Sequence, residues 1–82
     1  MDERILIVDD EKNILDAFQR QLRKQFIIET ALGPEEGLTV AKNKGPFSVV
    51  ISDLRMPVMD GIEFLSEVKK ISSDTVQMNV IS

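Results

Sequence analysis

The sequence predicts an α/β domain built on a parallel sheet, and three observations carry that prediction. Short apolar runs recur along the chain and alternate with helix-patterned stretches, in the order β-α-β-α-β-α-β. The run Ile5-Leu6-Ile7-Val8 is continuous rather than alternating, which marks a strand covered on both faces. Acidic residues stop the first and third runs, where a strand would hand over to a loop. Alternation of this kind winds through right-handed crossovers into one sheet.

Arg4 to Asp9 (RILIVD) reads as the first strand. In the following EKNILDAFQRQLRKQ, residues Ile14, Leu15, Phe18 and Leu22 fall on one stripe of an amphipathic helix. Asp10 and Glu11 stand at its N-terminal end and Arg23 and Lys24 at its C-terminal end, as the helix dipole favours. Phe26 to Ala31 (FIIETA) is the second strand. Gly33-Pro34 breaks it and opens a weaker helix, PEEGLTVAKNK, with Leu38 and Ala41 inward and Gly37 costing stability. Phe47 to Asp53 (FSVVISD) is the third strand, and Leu54 to Asp60 (LRMPVMD) is a loop with Pro57 as its breaker. Gly61 to Ile71 is the third helix, with Ile62, Leu65, Val68 and Ile71 facing in. Ser72-Ser73-Asp74 is a turn. Thr75 to Ser82 is a fourth strand, in which Gln77 and Asn79 interrupt the apolar pattern.

Composition bounds what such a domain can do. Eighty-two residues leave room for one domain, residues 1–82. The balance of 43% hydrophobic and 29% charged residues is that of a soluble globular protein. With no cysteine and no histidine, disulfides, thiolate metal sites, common zinc sites and histidine catalysis are excluded. The net charge is −4 and is shared evenly between the two parts of the chain, so no basic face for nucleic acid is expected. The apolar runs are too short to span a membrane, and the acidic Met1-Asp2-Glu3 is no signal peptide. A disulfide-free domain this small suits the cytoplasm.

The acids at the strand ends carry the chemistry. Asp9-Asp10 follow the first strand and Asp53 ends the third. Strand C-termini of a parallel sheet share one edge, where ligand sites form. If the first and third strands are neighbours, three carboxylates meet and repel. A divalent cation relieves that repulsion, and an all-oxygen set favours Mg²⁺ or Mn²⁺ over zinc. The plainer alternative is that Asp10 caps the next helix and the other acids mark ordinary strand ends.

The segments ILIVDDE at 5–11, VVISD at 49–53 and LRMPVMDG at 54–61 together resemble the receiver domain of two-component response regulators. The similarity runs from Arg4 to about Val76. The resemblance implies a flavodoxin-like (CheY-like) fold with strand order 2-1-3-4, lacking the family's fourth helix, fifth strand and fifth helix. It implies that Asp53 is the phosphoacceptor, taking a phosphoryl group from a sensor histidine kinase. It matches Asp10 to the direct Mg²⁺ ligand and Asp9 to its partner acting through water. Arg55 matches the position that donates a main-chain carbonyl to the metal. Such a domain is a phosphoacceptor and not a turnover enzyme.

The chain also departs from the family. It ends at Ser82, so the family's phosphate-contacting lysine has no counterpart; Lys69 and Lys70 lie too late in the third helix. The expectation is a C-terminally truncated receiver with impaired phosphorylation. For the switch hydroxyl at the end of the fourth strand, Ser82 is the only candidate, with Ile81 the other occupant of the aligned position. Loss of a helix and an edge strand would expose parts of Ile7, Ile14, Phe18 and Leu22 and favour a two-fold homodimer. The rival function is accordingly a receiver remnant that is not phosphorylated and serves as a dimerisation or protein-interaction module. A phosphohydrolase with an aspartate nucleophile is disfavoured, because such enzymes need a second acid where this chain has Arg55.

Overall fold

A computed structural model describes residues 3–80. The elements are β1 (Arg4–Asp9), α1 (Lys12–Leu22), β2 (Ile27–Leu32), α2 (Pro34–Lys44), β3 (Val49–Asp53), α3 (Gly61–Ile71) and β4 (Val76–Val80). All pairings are parallel and the sheet order is β2-β1-β3-β4. Strand 1 is central, which accounts for its unbroken apolar run: Ile5 to Val8 are all buried.

Alternation along β1 sorts the core into two layers. Leu6 and Val8 pack with Val50, Ala41, Phe64, Leu65 and Val68 beneath α2 and α3. Ile5 and Ile7 pack with Leu15 of α1, flanked by Phe18, Leu22, Phe26 and Ile28. Parallel partners share a face, so the register Ile7–Ile51–Met78 and Ile5–Val49–Val76 continues the α1 face across β3 and β4. There the cover thins, and Val76 and Met78 are 57% and 50% exposed. The open apolar face therefore lies at β4. Ile7, expected at its margin, is buried under α1.

Several expected details move. Helix 1 begins at Lys12, after Glu11 as N-cap, and its first turn holds no acid. Asp10 is therefore not part of the helix, because the turn out of β1 is held by Asp9, whose Oδ1 accepts the Glu11 N–H at 2.9 Å. Phe26 precedes β2, since its N–H still bonds to the Leu22 carbonyl. Phe47 is buried but lies ahead of β3.

The inward stripe of α3 is Gly61, Phe64, Leu65 and Val68, at i, i+3, i+4 and i+7. Ile62 lies off that stripe and is 67% exposed, and Ile71, which continues the stripe as the last residue of the helix, is exposed as well. Gly37 of α2 is not simply a weak helix residue. A Cβ there would stand 2.8 Å from the Phe64 ring and 2.9 Å from Val8. The glycine lets α2 approach both the sheet and α3.

Candidate metal and phosphoacceptor site

Asp9 and Asp53 are the last residues of β1 and β3, adjacent strands whose register runs through Val8–Ser52 immediately before them. The sheet therefore delivers both side chains to its C-terminal edge, and Asp10 joins them from the following turn. One carboxylate oxygen of each of the three lies within 4.8 Å of the others. Asp10 is exposed, but Asp9 and Asp53 are each only 5% exposed. Asp9 and Asp53 are thus two acids largely shielded from water at neighbouring strand ends.

Electrostatics agree. Burial raises the Asp9 carboxyl above its ordinary value of 3.8. The Glu11 N–H works against that shift, while Asp53 and Asp10 add to it. The donor set contains only carboxylate oxygens, which suits a hard divalent cation such as Mg²⁺. Bringing a cation into the cluster would offset the repulsion that the fold imposes.

The loop after β3 is fixed at several points. The Arg55 N–H donates to Asp53 Oδ1 at 3.3 Å, and the Gly61 N–H donates to the Leu54 carbonyl at 2.9 Å. The Arg55 side chain is exposed. Met56 is buried in the α2/α3 core, so it packs the loop down. Asp60 caps α3, its Oδ1 accepting the Glu63 N–H at 2.8 Å. Lys69 and Lys70 lie in the last turn of α3, at the far end from this cap. Ser82 and Ile81, the candidates for the switch hydroxyl, lie outside the described residues.

One residue of the site, Ser52, was not picked out from the sequence, and Gly61, expected to permit a tight helix entry, does so against Asp53. Ser52, fully buried, donates its hydroxyl to the Asp53 carbonyl at 3.0 Å. Gly61 lies close to the same carbonyl, and a Cβ there would run into it. The available signal was a lone serine inside the apolar third strand, one residue before the acid.

Known proteins resemble this arrangement. A family model described as the response regulator receiver domain matches residues 5–82. The hydrogenase transcriptional regulatory protein HoxA of Cupriavidus necator is 38% identical over 66 residues, covering 80% of this chain and 14% of that protein. The transcriptional regulatory protein PrrA of Mycobacterium tuberculosis is 33% identical over 72 residues, covering 87% of this chain and 30% of that protein. Among solved structures, a CheY-like response regulator receiver domain protein from Methanospirillum hungatei superposes with a TM-score of 0.92 at 32% identity. That match covers 99% of this chain and 65% of the other. The chain thus spans less than a third of these two curated relatives.

Proposed function

The chain belongs to the response regulator receiver domain family of two-component signalling, and we propose from that premise that Asp53 is its phosphoacceptor. The observation that carries the proposal is the cluster itself: two buried acids and one exposed acid, from two adjacent strand ends, within 4.8 Å. The phosphoryl group comes from a sensor histidine kinase, and the domain carries it rather than turning over a substrate. Residues 3–80 contain no helix long and apolar enough to cross a membrane. Our reading places the domain in the cytoplasm, with no nucleic acid bound through it.

The residues divide the work as follows. Asp53 supplies the carboxylate oxygen that attacks phosphorus: the O–P bond of the acyl phosphate forms as the P–N bond of the kinase's phosphohistidine breaks, and the imidazole leaves. The Arg55 N–H fixes Asp53 Oδ1 and so orients the carboxylate. Asp9, held by the Glu11 N–H, and Asp10 provide negative charge beside it. Asp9, Asp10, Asp53 and the Arg55 carbonyl would hold Mg²⁺. When bound, the ion supplies charge neutralisation between the acids and the incoming phosphate. Lys69 and Lys70, in the last turn of α3, lie at the far end of the helix from the acids.

Incubation with acetyl phosphate and Mg²⁺, followed by intact mass, tests the proposal. Addition of one phosphoryl group to the wild type, absent in Asp53→Asn, is expected. Equal addition to both proteins would overturn it.

A second reading, an interaction module that pairs with its own copy, is favoured by one observation. Val76 and Met78 stand half-exposed on the α1 face, beside the partly covered Val49 and Ile51. Burying one such side chain contributes ~1.5–3 kcal/mol. Sedimentation across a concentration series decides it: a concentration-dependent dimer that Met78→Lys dissociates supports the reading, and a monomer throughout removes it.

A further inference from the structure

We infer that Ser52 and Gly61 are positioning residues: together they clamp the main chain of Asp53 and set where its carboxylate stands among Asp9 and Asp10. The inference rests on the reading of Asp53 as phosphoacceptor and metal ligand.

The clamp has two parts. The fully buried Ser52 hydroxyl donates to the Asp53 carbonyl oxygen at 3.0 Å. The start of α3 packs against the same peptide. A Cβ on Gly61 would run into the Asp53 carbonyl oxygen and the Asn79 side-chain amide, and would lie 2.8 Å from the Leu54 Cα. The Gly61 backbone is not left-handed; among the described glycines only Gly33 is. Glycine is needed at position 61 for proximity and not for conformation. The Gly61 N–H to Leu54 carbonyl bond, 2.9 Å, holds the helix start at that distance.

The carboxylate cannot ignore this clamp. Its Oδ1 is tied to the Arg55 N–H, two residues along the same segment. Arg55 is in turn followed by the buried Met56 and, four residues later, by the Asp60 cap of α3. A shift of the Asp53 peptide therefore moves the carboxylate relative to Asp9, which sits on a different strand. Neither Ser52 nor Gly61 needs to touch the metal or the phosphate for this. Hydrogen-bonded groups one shell behind a ligand commonly set its affinity by ten- to a hundredfold.

The test uses the full chain, isotope-labelled for NMR, with Mg²⁺ alone as the probe. Ser52→Ala removes one part, and Ser52→Thr restores the hydroxyl. Thr75→Val is the control. It removes another buried hydroxyl, which donates to the Phe47 carbonyl at 2.8 Å at the opposite end of the sheet. Two quantities are read: Mg²⁺ affinity from amide shifts, and metal-free hydrogen exchange at the Arg55 and Gly61 amides.

Ser52→Ala is expected to weaken Mg²⁺ binding about tenfold and to speed exchange at both amides. Ser52→Thr returns both toward wild type, and Thr75→Val changes neither. Gly61→Ala changes both further if it folds; if it does not, the Ser52 pair carries the test. Unchanged affinity and exchange in Ser52→Ala, or equal changes in Thr75→Val, would overturn the inference. A wild type that binds no Mg²⁺ refutes the metal-site reading instead, and the clamp then stands or falls on the exchange rates.

Discussion

The side-chain amide of Gln77 on β4 donates to the main-chain carbonyl of Leu65 in α3, at 2.9 Å. Gln77 is the register partner of Val50, so it lies on the α2/α3 face, opposite to Val76 and Met78. The polar interruption of this strand is thus a tie to the helix that packs on it. Gln77→Ala is expected to destabilise the fold by about 1 kcal/mol, the net worth of a partly buried hydrogen bond. Urea denaturation measures it. A change in midpoint indistinguishable from zero would show the bond to be incidental.

Gly37→Ala sets helix propensity against packing. Propensity alone predicts a gain of ~1 kcal/mol in the middle of α2. The new Cβ would lie under 3 Å from Phe64 and Val8, both almost fully buried and without room to yield. Overpacking of a filled core costs ~1–3 kcal/mol. We expect a net loss of stability, read as a lower urea midpoint.

Val58 has φ of 74° and is 88% exposed. A β-branched residue in the left-handed region costs ~1–2 kcal/mol, and this one buries little in return. Val58→Gly therefore stabilises, by up to about 1 kcal/mol after the added freedom of the unfolded chain is counted. In a domain of this size that is a rise in Tm of a few degrees. Calorimetry shows it, and Met59 and Asp60 should keep their amide shifts.

Asp9 gives a pH-dependent prediction. Its folded pKa is raised, first by burial and then by the neighbouring acids. The folded protein therefore holds the proton more tightly than the unfolded chain. Asp9 weakens the fold above its folded-state pKa, and that penalty fades as pH falls from there toward the ordinary value of 3.8. With divalent cations chelated, Asp9→Asn should be more stable than the wild type at neutral pH, and the difference should close in acid. Added Mg²⁺ should stabilise the wild type by mass action and the variant less. Urea titrations at several pH values, with and without Mg²⁺, check both signs.

How much of this was legible in the sequence depends on what each residue has to reveal. The element order and the helix limits of α2 and α3 followed from runs and breakers, whereas the strand order, and with it the meeting of Asp9, Asp10 and Asp53, rested on the resemblance to receiver domains. Ile62 was misplaced because an apolar residue early in a helix looks inward. The actual stripe passes through Gly61, which carries no hydrophobic signal. Gly37 and Ser52 were passed over for a related reason: their roles are distances to groups far away in sequence. Gln77 was read as an anomaly because its partner, a helix carbonyl, leaves no mark in composition.

The central claim is that the Asp53 carboxylate receives the phosphoryl group. Reaction with acetyl phosphate and Mg²⁺, borohydride reduction of any acyl phosphate to the alcohol, and peptide mapping test it most directly. Reduction confined to position 53, dependent on Mg²⁺ and diminished in Asp10→Asn, is the predicted result. Reduction at Asp9 or Asp10 instead, or none anywhere after prolonged incubation, would contradict it.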